Sequence, residues 1–135
     1  VRLVGSEMCI RDRSNLLKGQ KNTLFHAKND PQTSRKNWIS SMKVKGQIKI
    51  DFGAVNALKN GKSLLPAGVT EVFGSFSRGD PVEIIVKNGE SFGKGLINYN
   101  NIEVSAIIGK QSSEVIDVLG YSGRVSVVHR DNMVL

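Results

Sequence analysis

The chain has 135 residues, a formal net charge of +7 and a single Cys. That length fits one ordinary domain, or a small domain with a tail. A lone thiol excludes an internal disulfide, no apolar run reaches the ~18 residues of a membrane helix, and a reducing cytoplasm is the expected compartment.

Residues 1–13 begin without Met and contain no apolar segment of signal-peptide length. They resemble a translated sequencing adapter, so an incomplete protein is expected and Cys9 is set aside. Residues 14–45 carry seven Lys and Arg against Asp30 alone, whereas residues 46–135 carry nine bases and nine acids. The basic character therefore belongs to the lead-in. Within it, Thr23-Leu24-Phe25 is strand-like and Asp30-Pro31 breaks the chain. Trp38, Ile39 and Met42 share a helical face, with Ser34 as a possible cap, and this short helix is expected to dock on the domain after it.

From Gly46 the signals become dense. Ile48 and Ile50 alternate with polar neighbours, as in a half-buried strand. Asp51 can cap a helix that buries Ala54, Val55 and Leu58 and stops at Asn60-Gly61. Leu64 to Gly68 is an apolar edge and a turn. Val69 to Phe76 reads as a strand with a bulge at Gly74. Arg78-Gly79-Asp80 is a turn rather than an adhesion motif. Val82, Ile84 and Val86 lead into Asn88-Gly89, a type I′ hairpin signal, and Phe92 to Tyr99 returns. Asn101 to Ile108 is a helix closed by Gly109. Ser112 can cap another, with Gly120 past its end. Val125, Val127 and His129 would line one face of a last strand. The order β-α-β-β-β-α-α-β predicts a mixed α/β, β-rich fold. Short strands would form a closed or nearly closed pseudo-barrel with short helices at its ends, preceded by a basic connector.

No assembled catalytic site is legible. Gly61-Lys62-Ser63 has only half of a phosphate-loop pattern, and Pro66 follows too soon for the helix that such a loop needs. Gly93-Lys94-Gly95 reads as a bulge inside a strand. Ser126 and His129 point to opposite faces of a strand, so they make no hydrolytic dyad with Asp131. His26 and His129 lack metal-ligand spacing. Lys59 and Lys62 are the only local basic pair after Gly46. With Ser63 they are the candidate RNA or ligand surface. The bland alternative is a solvated helix end.

Several segments carry a family resemblance. Asp51-Phe52-Gly53-Ala54, Gly61 to Val69, Phe76 to Asp80, Gly95 to Tyr99, Leu119-Gly120-Tyr121 and above all the ending His129 to Leu135 resemble the PUA domain at the C-terminus of bacterial glutamate 5-kinase. Thr23 to Phe25 and Arg35 to Ile39 resemble the end of the preceding amino-acid-kinase domain and its connector. Phe52 stands where the family commonly has an acid, and Asn22 where it has Gly. The resemblance divides the chain into an adapter-like 1–13, the kinase-domain end and connector over 14–45, and the PUA domain over 46–135. It implies a parent that phosphorylates the γ-carboxylate of L-glutamate with ATP and Mg²⁺, in proline biosynthesis. In this chain it implies no catalytic residue and no cofactor. The domain would be regulatory or architectural, with the kinase domain as its partner, a homo-oligomeric parent, and weak RNA binding supplied mainly by the lead-in. The runner-up is an RNA-binding module of an RNA-modification enzyme.

Overall fold

The computed structural model describes residues 14–21 and 30–135. The strand-like Thr23-Leu24-Phe25 and all of 1–13 lie outside the described residues. The chain divides into two compact units, Val1–Asp30 and Pro31–Leu135, and the second carries the fold.

Helix α1 is Pro31–Ser41. Pro31 occupies the first helical position, where its missing N–H costs nothing. The helix therefore starts before Ser34, which lies inside it and is not its cap. Ile39 is fully buried while Trp38 is half exposed. The stripe that meets the sheet runs Arg35, Ile39, Met42, and Trp38 sits to one side of it. Lys94 Nζ donates to the carbonyls of Ser40 and Met42, each at 2.8 Å. These belong to the end of the helix, where carbonyls lack intrahelical donors. The expected docking of this helix is thus observed.

Strand β1 is Gly46–Ile50, and its Ile48 and Ile50 are buried. Helix α2, Phe52–Lys59, starts where Asp51 Oδ1 accepts the Ala54 N–H at 2.7 Å. It buries Ala54, Val55 and Leu58, as its spacing predicts. It ends at Asn60, with Gly61 at φ +71°, a left-handed conformation that glycine adopts cheaply. A 3₁₀ turn over Pro66–Gly68 leads into β2, Val69–Gly74.

The strand stops at Gly74. The irregularity lies instead at the other end of the same strand, where Thr70 is the extra residue between Val69 and Glu71, the partners of Ile50 and Lys49. Strands β3, Pro81–Val86, and β4, Ser91–Ile97, form the hairpin. Asn88 does not take the positive φ that a type I′ turn demands; only Gly89 does, at +87°. The bonds Gly89 N to Val86 O and Val86 N to Glu90 O enclose a three-residue loop, a type I turn closed by a left-handed glycine. Asn88 Oδ1 accepts the Glu90 N–H, which fixes it in this form.

Helix α3 is Asn101–Ile107, held by a reciprocal pair in which Asn100 Oδ1 accepts the Glu103 N–H and Glu103 Oε2 accepts the Asn100 N–H. Helix α4, Val115–Leu119, has Glu114 rather than Ser112 at its start, and Gly120 ends it at φ +73°. Strand β5 is Val128–Val134. Its start corrects the expected Val125, Val127, His129 face: Val127 and Val128 are both buried and Val125 is exposed.

The sheet is mixed, in the order β2-β1-β3-β4-β5, with β1 and β3 parallel. Its ladder does not close on itself. Leu64, just before the 3₁₀ turn, pairs with Val128, so β5 is tied back to the segment that feeds β2. This is the nearly closed form of the expected pseudo-barrel. Gly93 and Gly95 allow β5 to cross closely: a Cβ on Gly95 would sit 2.5 Å from Val128 Cγ1, and one on Gly93 2.5 Å from the Val134 carbonyl oxygen.

Candidate functional site

The C-terminal end of α2, the segment after it and the start of β5 converge on one region. Lys59 is the exposed last residue of α2. Gly61 N and Lys62 N bond back to the carbonyls of Leu58 and Ala57. Gly61-Lys62-Ser63 therefore terminates a helix and has no backbone donors arranged around a phosphate. Ser63 Oγ accepts the Arg130 N–H at 3.0 Å, which fastens this segment to β5.

Between α2 and the segment 62–68 lies a groove of about 430 Å³, lined by Asp51, Gly53, Ala54, Ala57, Leu58, Lys62, Ser63, Leu64, Leu65, Ala67 and Gly68. Its floor is narrow because Gly68 has no side chain: a Cβ there would lie 2.6 Å from the Ala54 Cβ. Two of the three residues singled out by sequence, Lys62 and Ser63, line the groove, and Lys59 does not. The apolar walls carried a legible signal, small residues one helical turn apart at 54 and 57 and again at 67–68. Their facing one another is a tertiary fact. A second cavity of about 360 Å³ involves Lys36 of α1, Gly61, and Arg130 and Asp131 of β5. A cation of the basic lead-in and one of the neutral segment thus share a wall.

The groups with displaced titration lie elsewhere and hold the scaffold. The Ser77 N–H, and then Lys45, hold the Asp80 carboxyl below its usual range. The Ser91 hydroxyl, and then the Gln47 amide, do the same for Glu83. Burial pushes the Tyr99 phenol up. Tyr99 Oη donates to the Arg124 carbonyl, and Asn98 Nδ2 to the Ser126 carbonyl at 2.9 Å, pinning the approach to β5. Tyr121, also raised, donates to Glu103 Oε1. Ser126 is buried while His129 Nδ1 turns to Asp131, accepting its N–H at 3.3 Å. No hydrolytic arrangement joins the three. Among the described residues there is no group of three His, Cys, Asp or Glu that could hold a metal. No helix of theirs is long and apolar enough to cross a membrane.

Comparison with known proteins agrees with the fold. The PUA domain family model matches residues 46–119. A glutamate 5-kinase of Cereibacter sphaeroides is 51% identical over 131 residues, covering 97% of this chain and 35% of that protein. One of Dinoroseobacter shibae is 52% identical over 120 residues, covering 89% and 33%. The chain spans about a third of the length of these relatives, and it matches their C-terminal region. A PUA domain of Aeropyrum pernix, solved as a tartrate complex, aligns with TM-score 0.47 and 24% identity over 63% of this chain and 41% of that one. With the family model spanning β1 through α4, the chain belongs to the PUA domain family.

Proposed function

We propose that this chain is the non-catalytic C-terminal module of an ATP-dependent glutamate 5-kinase of proline biosynthesis, with a regulatory or architectural part in that enzyme. The observation that carries the reading is the identity of about half across 97% of the chain, against 35% of the relative. Phosphoryl transfer from ATP and Mg²⁺ to the γ-carboxylate of glutamate belongs, in this reading, to an upstream amino-acid-kinase domain, and the compartment is the cytoplasm. Residues 14–30 would be the end of that domain. The compact unit starting at Pro31 would be the body it carries, with α1 fastened to β4 and β5. A homo-oligomeric parent is part of the same reading. The test is recovery of the upstream reading frame from the source genome. An in-frame amino-acid-kinase domain supports the proposal, and a base-modifying catalytic domain overturns it.

One observation favours a second reading, an RNA-contacting module. Lys36 and Arg130 line one cavity, which Asp131 also lines. Such convergence is what phosphate contacts need.

A further inference from the structure

We propose that the groove between α2 and the segment 62–68 is a binding site for a small organic monoanion with an apolar body, its charge seated on Lys62. The inference is independent of the kinase reading. A cavity of about 430 Å³ lies within the ~300–1,000 Å³ usual for small-molecule sites. Its walls are mostly methyl groups, from Ala54 and Ala57 on one side and Leu65 and Ala67 on the other. Leu65 is 42% exposed although Leu64 beside it is buried. An apolar side chain thus stands on the rim, where a bound apolar body would cover it.

Charge sets the orientation. Among the described residues, Lys62 is the one cation and Asp51 the one acid lining the groove. They lie at opposite ends of an eight-residue helix, roughly 12 Å apart along its axis at 1.5 Å per residue. The negative end of the α2 dipole already has Lys59 in its last turn, which leaves Lys62 for the groove. Ser63 Oγ accepts from Arg130 N and retains its own proton as a donor beside Lys62. An anionic head is repelled at Asp51 and held at Lys62 and Ser63. A polyanion is a poorer match, because it would need a row of cations where the groove offers one.

The probes are 8-anilinonaphthalene-1-sulfonate, an apolar body with one negative charge, and the uncharged N-phenyl-1-naphthylamine, titrated fluorimetrically into the full chain. The expected result is saturable one-to-one binding of the sulfonate. Lys62→Ala should weaken the sulfonate about fivefold, the size of a partly exposed charge pair, and leave the neutral probe nearly unchanged. Ala57→Leu fills the groove from a helix that tolerates leucine, and should weaken both probes about tenfold. Ala67→Leu does the same from the opposite wall and stands in should the first variant lose its thermal transition. Lys59→Ala should change neither probe. The proposal is overturned if both filling variants leave binding intact, or if Lys62→Ala weakens the two probes equally. It is also overturned if a ten-nucleotide single-stranded RNA displaces the sulfonate at near-physiological salt more effectively than unlabelled naphthalene sulfonate does.

Discussion

Arg35 Nε lies 2.8 Å from Asn132 Oδ1, across 97 residues of chain. The contact joins the connector helix to the last strand, beside the fully buried Ile39. Ile39→Ala should cost ~2–4 kcal/mol, as large-to-small core changes do. Arg35→Ala removes one exposed hydrogen bond and should cost under about 1 kcal/mol. Urea denaturation of the full chain measures both. An Ile39→Ala change under about 1 kcal/mol would mean that α1 is not part of the folded unit.

Leu64 and Leu65 are neighbours with opposite fates. Leu64 is 1% exposed and pairs with Val128, while Leu65 stands on the groove rim. Leu64→Ala should cost ~2–5 kcal/mol and Leu65→Ala under about 1. Equal losses in urea melts would show that the segment packs differently.

Asp80 and Glu83 are both held below the usual carboxylate range, so the unfolded chain binds these protons more readily than the native one. Their contribution is present above about pH 4 and is lost as pH falls below it. Tyr99 is raised, so its contribution is present below about pH 10 and is lost as pH rises further. Thermal melts against pH should show both limbs. Asp80→Asn with Glu83→Gln should flatten the acid limb, and Tyr99→Phe should remove its share of the alkaline one, the rest lying with Tyr121, which is also raised. An unchanged acid limb in the double variant would refute the assignment.

Much of this was legible in the chain. The cap at Asp51, the buried triplet Ala54, Val55, Leu58 and the stops at Gly61, Gly109 and Gly120 are local devices, encoded within a few residues. The errors arose where one residue type serves two geometries. Asn88-Gly89 suits a type I′ turn, but the Asn88 bond to Glu90 N selects the three-residue loop. Gly74, Gly93 and Gly95 announce an irregularity without saying which strand crosses there. The site divided in the same way. Lys62 was singled out with Lys59 as the one local basic pair after Gly46, with Ser63 beside them, and the structure lines a groove with Lys62 and Ser63. The charge count separated Lys36 from Arg130, because only the docking of α1 on β5 brings them to one cavity.

That docking changes how RNA binding is to be tested. Deleting 14–45 would remove Ile39 from the core, so charge substitution in the full chain is the cleaner experiment. Fluorescence anisotropy with a structured RNA should show weak affinity that falls with salt. The logarithmic slope should drop by roughly 0.7 on each of Lys36→Glu and Arg130→Glu if both meet phosphates. An unchanged slope in the double variant would remove the RNA reading from this face.

The most direct test of the central claim is ADP release dependent on glutamate and Mg²⁺. It is measured side by side for the chain alone and for a chimera in which residues 14–135 replace the matching third of the Cereibacter sphaeroides glutamate 5-kinase. The account predicts background turnover from the chain alone and sustained turnover from the chimera. Turnover by the chain alone, or a folded chimera that has lost it, would contradict the account.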